Sequence, residues 1–370
     1  MLKSKKFWAY EPSQSYDLKQ EVFDNYKIKG RFYDDVLYFF DQMGIAPHPG
    51  LRAPANRESF DVNAVNLINN KVDVNTIKIL IHLLPYTKII SLKLCSNDFE
   101  INNLELLVNS LVSKPNNIYY VSYEWNDKLT TAEGVISRNE EIAQEQYKEL
   151  FDKQSELIYK LFKNTKFEGI CIRGNLLGDD TIIEIFKILE AQQYNSQVKV
   201  LSLYKNNLTS KCIDSFCSML LKNKKLEEVN FGNNKLTDED VEKIKNHIGK
   251  YPMTMEEVEN YNKKAKERDQ IIAKNVKLKI SKKPELEVPY LDEMCQIGEK
   301  FYIVKNKNLR VLNFMQNPLT EKCFDSIKYM LDYNDDLLIT IDENTFKPSQ
   351  EEILLDRNGK YFNRIYFSKK

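Results

Sequence analysis

The chain has 370 residues, 54 Lys and Arg against 54 Asp and Glu, 42% hydrophobic content and 29% charged. That is enough apolar material for a large core and one to three domains, while zero formal net charge excludes a general attraction to nucleic acid or anionic lipid. No run of about 18 apolar residues occurs, so no membrane-spanning helix is expected.

The segment Met1 to Trp8 is basic but leads into Glu11, Asp17 and Glu21 rather than an apolar stretch, so no secretory signal is expected. Residues 1–60 read as an N-terminal helical cap, with a helix over Tyr33–Phe40 and a break at Pro47-His-Pro-Gly50.

From residue 61 a frame of apolar-xx-apolar-x-apolar-xx-Asn-x-apolar recurs eight times. Its copies are Val62, Val65, Leu67, Asn70, Val72; then Ile89, Leu92, Leu94, Asn97, Phe99; then Ile118, Val121, Tyr123, Asn126, where Lys128 spoils the last position. They continue as Phe167, Ile170, Ile172, Asn175, Leu177; Val198, Leu201, Leu203, Asn206, Leu208; and Leu226, Val229, Phe231, Asn234, Leu236. Leu309, Leu312, Phe314, Asn317, Leu319 and a degenerate Ile339, Ile341, Asn344, Phe346 close the series. The Asn-to-Asn spacings are 27, 29, 49, 31, 28, 83 and 27, so two units carry an insertion.

The frame has a direct physical meaning. In its short strand Leu201 and Leu203 point inward while Val200, Ser202 and Tyr204 face out. The Asn turns the chain, its amide bonding backbone groups that no ladder reaches. A helix then returns, as with Ile213, Phe216, Cys217 and Leu220, and Thr237 to Asp240 reads as a capping box. The pattern predicts an α/β fold of the leucine-rich-repeat type: a ribonuclease-inhibitor-like horseshoe, with a parallel sheet on its concave face and helices on its convex face.

The repeats are expected over 61–249, with an insertion at 127–165 in which Ala143, Tyr147, Leu150, Phe151, Leu157, Ile158 and Leu161 share one helical face. A charged arm at 250–308 follows, with a helix over Met253–Ile272. Its basic stretch holds Lys263, Lys264, Lys266, Arg268, Lys274, Lys277, Lys279, Lys282 and Lys283 against only Glu267 and Asp269. That stretch reads either as a solvated helix end and linker or as an arm that touches an acidic surface. Glu299–Val304 is expected to lead back into the array. The last repeats occupy 309–346, and 347–370 is expected to be a hairpin turning at Asn358-Gly359.

The chemistry-bearing residues do not converge. His48, His82 and His247 have no Cys or carboxylate at ligand or triad spacing, so no metal, cofactor or catalytic group is expected. His82 is expected at the surface or at a boundary. Gly174-Asn-Leu-Leu-Gly178 lacks the Gly-Lys-Ser/Thr ending of a phosphate loop and reads as the frame's turn. The six cysteines, without CxxC spacing, read as reduced thiols of a cytosolic protein. The outward strand positions are the candidate partner-binding surface: Lys93, Tyr120, Glu124, Arg173, Tyr204, Glu228, Asn313 and Met315. They surround a small polar centre row of Ser122, Cys171, Ser202, Asn230, Asn313 and Thr340. Eight strands at ~4.8 Å give a face roughly 35 Å wide, either an interface or ordinary solvated sheet. The candidate second contact is the basic arm at Lys274, Lys277, Lys279, Lys282 and Lys283.

The order of these parts resembles the leucine-rich repeat-containing protein 71 family over about residues 85–346. The likeness rests on clean repeats at 167–248, the Met253-Thr-Met-Glu-Glu-Val258 helix start, and a basic insertion placed between the same two repeats. After it come Val288-Pro-Tyr-Leu-Asp-Glu293 and Gly298-Glu-Lys-Phe-Tyr-Ile303, leading to Leu309–Asn317. The insertion is shorter than in the family pattern, and Thr237-Asp-Glu-Asp and Thr320-Glu-Lys-Cys replace repeat glycines. The resemblance implies no catalytic motif. It implies a structural component of the axoneme of motile cilia, cytoplasmic and cytoskeletal, that binds other proteins of a large assembly. The alternative is a regulator of a small GTPase, since one family of GTPase-activating proteins uses this repeat type; Arg173 and the strand-end asparagines are its candidates.

Overall fold

A computed structural model of the chain describes residues 18–53, 62–97, 99–126, 128–131, 134–137, 144–343, 345–357 and 359–368. Two helices lead in, α1 (Gln20–Asp24) and α2 (Phe32–Met43). Strand and helix then alternate as β1 (Ala64–Ile68), α3 (Val74–Leu83), β2 (Ser91–Cys95), α4 (Ile101–Ser113) and β3 (Tyr120–Glu124). The first insertion holds β4 (Lys128–Thr131), β5 (Gly134–Ser137) and α5 (Gln144–Lys163). The alternation resumes with β6 (Gly169–Cys171), α6 (Gly178–Gln192), β7 (Val200–Ser202), α7 (Ile213–Lys222), β8 (Glu228–Asn230) and α8 (Asp238–Lys245). The arm comprises β9 (Lys250–Pro252), α9 (Met255–Ile280), β10 (Glu293–Ile297) and β11 (Lys300–Val304). The chain ends with β12 (Val311–Asn313), α10 (Phe324–Tyr333), β13 (Leu338–Asp342), α11 (Pro348–Leu355) and β14 (Ile365–Ser368).

Nine of these strands form one sheet in the order β1-β2-β3-β6-β7-β8-β12-β13-β14, and every pairing in it is parallel. The order follows the chain, with both insertions leaving and re-entering between neighbours. Inward frame residues such as Leu92, Val121, Ile170, Leu201, Val229 and Leu312 are buried with helix residues Leu107, Ile185, Phe216 and Ile327 in one hydrophobic cluster from Leu18 to Ile365. Fully burying a Leu or Phe side chain contributes about 1.5–3 kcal/mol, so this cluster is the main source of stability.

The frame asparagines bridge neighbouring units. Each Nδ2 donates to the carbonyl of the preceding strand: Asn97 to Leu67, Asn126 to Leu94, Asn175 to Tyr123, Asn206 to Ile172, Asn234 to Leu203 and Asn317 to Phe231, at 2.7–3.1 Å. From Asn126 onward their Oδ1 atoms accept from backbone N–H groups one unit earlier, as Asn126 does from Asn97 at 2.9 Å. The residue before each frame Asn, from Asn69, Ser96 and Trp125 through Gly174, Lys205, Asn233 and Gln316, is left-handed, with φ between 52° and 68°. A second, unforeseen ladder stands where helices hand over to strands. There Asn164, Asn223, Asn306 and Asn334 donate to Val112, Leu189, Leu220 and Leu309 carbonyls.

The structure corrects two expectations. The described residues of Ile353–Asn363 do not form the expected hairpin: Pro348 opens α11, which buries Leu354, and β14 adds to β13 as the ninth parallel strand. Asn358 itself lies outside the described residues. The arm's helix runs to Ile280, because the Thr254–Glu257 capping box starts it and no Gly or Pro intervenes before Pro284. Lys274, Lys277 and Lys279 are therefore helical rather than part of a linker. As expected, β11 leads back into the array, through Asn306 and on to β12, but within the arm it pairs antiparallel with β10 and β9 in a three-stranded sheet of its own. The capping box of α8 is formed as expected, Asp240 Oδ2 accepting from Thr237 N at 2.8 Å. The first insertion holds a hairpin besides its helix; Ala143 lies outside the described residues, while Leu157, Ile158 and Leu161 are buried. In the N-terminal part, α2 packs on α3, His82 meeting both rings of the stacked Phe23–Phe39 pair.

Candidate protein-binding face

The face of the large sheet turned away from the helices is arranged by strand register. Lys93, Ser122, Cys171, Ser202, Asn230, Asn313 and Thr340 are aligned partners across successive strands, so the small polar centre row is real. Two of its members are tied to the turns: Asn230 Oδ1 accepts from Gly232 N at 2.8 Å and Asn313 Oδ1 from Met315 N at 2.9 Å. Burial pushes the Cys171 thiol up to about 11, with the Glu124 carboxylate adding to the effect. At neutral pH this cysteine is a protonated, weakly reactive thiol.

Glu124, Arg173 and Tyr204 converge at the ends of their strands. Glu124 is 5% exposed. Its carboxylate lies 3.6 Å from Lys93 Nζ and 3.9 Å from Arg173 Nη1, and it accepts from Ser122 Oγ. The Arg173 guanidinium also lies over the Tyr204 ring, 5.0 Å from its centroid. Tyr204 Oη donates to Gln316 Oε1 at 2.6 Å and accepts from Asn233 Nδ2 at 3.1 Å. The hydroxyl of that tyrosine is thus committed both as donor and as acceptor, which holds the ring in place.

Reasoning from strand positions alone missed the next tier. The left-handed residue before each frame Asn projects beside the sheet's edge, and here it supplies Trp125, Lys205 and Gln316. The Trp125 ring meets Tyr204 at 6.3 Å, tilted 64°, and Lys205 Nζ lies 5.0 Å from the Trp125 centroid. Two glycines make room. A Cβ on Gly174 would come within 2.4 Å of Trp125, and one on Gly232 within 2.8 Å of Tyr204. The signal that finds these residues is their fixed place one position before the frame Asn.

The remaining expected residues lie apart from this cluster. Tyr120 sits at the strand-entry side, over Gly169, its Oη donating to Glu168 Oε2 at 3.2 Å; Glu168 in turn pairs with Lys199 at 3.1 Å. Glu228 lies on that same entry row and is exposed. Met315 directly precedes Gln316, the partner of Tyr204. The five lysines at 274–283 belong to the arm and are outside the sheet face. Charge is uneven: the strand-exit cluster holds Lys93, Arg173 and Lys205 against Glu124, whereas the entry side pairs Lys199 with Glu168 and Arg310 with Glu227.

No protein-family model matches the chain, and no curated protein does. Among the described residues no group of three or more His, Cys, Asp or Glu could hold a metal ion, and no helix is long and apolar enough to cross a membrane.

Proposed function

We propose that the chain is a non-catalytic protein–protein scaffold, built as a leucine-rich-repeat solenoid of the ribonuclease-inhibitor type, whose sheet face holds its partner. The observation that carries this reading is the Trp125–Tyr204–Arg173 cluster. Two large rings and a guanidinium stand on a rigid sheet, already fixed by their own contacts, so little side-chain entropy is lost on binding. Tyr, Trp and Arg are the residues that most often dominate interface energy. The strict strand order, the asparagine ladder and the bridging left-handed turns support the solenoid reading.

The excess of Lys93, Arg173 and Lys205 over Glu124 favours a partner segment that carries carboxylates beside an apolar group. Glu124 and Tyr204 hold Arg173 in place, which supports a binding anchor over a mobile residue inserted into a GTPase. The likeness to the leucine-rich repeat-containing protein 71 family supports a place in the ciliary axoneme, where such a scaffold would be one structural component among many. A photocrosslinking residue at Tyr204 of the full chain, in ciliated cells, is expected to capture a small set of axonemal proteins that stay with detergent-extracted axonemes. The same residue at Leu106, exposed on α4, is the control. Equal capture from both positions, or release of the chain with the soluble matrix, would defeat the reading.

A further inference from the structure

A groove separate from the sheet face lies between the arm and the body of the protein. It is lined by Tyr261 and Arg268 of α9, Tyr290 to Glu293, Lys305 and Lys307 of the arm, and by Tyr194 and Lys224 on the body side. Its volume is about 430 Å³, within the range of small-molecule sites.

Its charges do not cancel. Four cations face two carboxylates, and each carboxylate is already taken. Asp292 Oδ2 lies 2.6 Å from Lys305 Nζ, and its Oδ1 accepts from Tyr290 Oη at 2.9 Å. Glu293 Oε2 is 3.5 Å from Lys307 Nζ. Lys224 and Arg268 are left with no ion pair among the described residues. Lys224 Nζ has only a long 3.4 Å contact to the Leu220 carbonyl and stands 5.9 Å from the Tyr290 centroid. Arg268 Nε is buried and makes no hydrogen bond among the described residues. Burial also lowers the Lys224 ammonium from its ordinary value, a cost that a bound anion would offset.

We propose that this groove binds a phosphate monoester carried on a planar ring, the phosphate meeting Lys224 and Arg268 and the ring lying against the tyrosines. A guanidinium with free donors and an ammonium lining the same groove suit a tetrahedral dianion, and Arg presents these donors in a fixed fork. The Tyr194 and Tyr290 rings, 66% and 46% exposed, offer aromatic faces at the mouth. Because the two walls come from α9 and from the loops after α6 and α7, the ligand would also fasten the arm to the body.

Isothermal titration of the full chain with phosphotyrosine, AMP, inorganic phosphate and free tyrosine tests this. Either phosphotyrosine or AMP should bind at least about ten-fold more tightly than both inorganic phosphate and tyrosine, since charge and ring contribute together. Which of the two binds identifies the source of the ring. Lys224→Gln and Arg268→Gln should each weaken binding about five-fold or more, whereas Lys282→Gln with Lys283→Gln, outside the groove, should not. Tyr194→Ala, at a largely exposed ring that the fold does not need, should also weaken it. Ring-bearing phosphates binding no better than inorganic phosphate, or unaltered binding in the Lys224, Arg268 and Tyr194 variants, would overturn the proposal.

Discussion

Gly174 illustrates how one backbone conformation supports the candidate face. Its φ is +68°, and Trp125 occupies the space a side chain would need. Gly174→Ala should cost about 1–2 kcal/mol from backbone strain alone, and more from the displaced ring. Gly30→Ala has a similar φ of +73° but nothing within 4 Å, so it should show the backbone cost alone. Urea midpoints of the two variants check this, and Gly174→Ala should also shift Trp emission, since the chain has only two tryptophans. Equal destabilisation by both would remove the packing claim. His48 carries a pH prediction. It is fully buried, and its Nδ1 accepts from Gly50 N at 3.0 Å. Burial lowers its pKa to about 4 from the ordinary 6.5. Between those values the unfolded chain binds the proton and the folded chain does not. Stability is therefore undiminished above about pH 6.5 and falls as the pH drops toward 4, by on the order of 3 kcal/mol in total. His82, half-buried and also shifted down by burial, acts in the same direction. Unfolding of His48→Asn at pH 7 and pH 5 should show a smaller loss than the parent chain; an unchanged slope would assign the effect elsewhere. The turn at Pro47–Gly50 was readable in the sequence, but the burial of its histidine was not, because the covering residues are distant in the chain.

At the scale of the element, the frame asparagine and the arm helix behave oppositely. Asn206 donates to Ile172, Leu203 and Tyr204 carbonyls and accepts from Leu177 N, joining two units and its own turn. Asn70, in the first unit, bonds its Nδ2 to the nearby Ile68 carbonyl at an exposed site. Asn206→Ala should cost about 2–4 kcal/mol by leaving buried backbone groups unpaired, and Asn70→Ala about 1 kcal/mol or less. Comparable midpoint losses would show that the bridging bonds are not the source of stability. The capping box of α8 was legible because its residues are three apart. The length of α9 was not: its 26 residues bury only Val258 and Asn275, so no apolar stripe marks its far end. Asn275 exchanges two 2.7 Å hydrogen bonds with the Leu286 backbone, a contact that only the folded arm creates.

For the whole molecule, stability follows the burial. The central units pack Phe186, Phe216, Phe231 and Phe314 in successive ring contacts, while α9 is largely exposed. Amide hydrogen exchange should therefore be slowest in 198–236 and much faster in 263–280, since helices without a packed face open locally. Equal protection would mean the arm is held by more than the contacts described. A binding-linked rise in protection of 263–280 would accompany occupancy of the groove beside Arg268.

The sequence by itself determined where the strands of the large sheet begin and turn. Alternating apolar residues and a strand-end Asn are local requirements, and seven of the eight copies mark a strand followed by an asparagine among the described residues. It also located the outward residues, since side chains alternate along a strand. Tertiary structure decided which of them meet. Register across gaps of 49 and 83 residues brings Arg173 beside Glu124 and sets Gln316 against Tyr204, and no local pattern spans that distance. It likewise decided the chain's end. Ile365–Ser368 becomes a strand because the edge of β13 is open to it, and that edge exists only once the earlier units have folded.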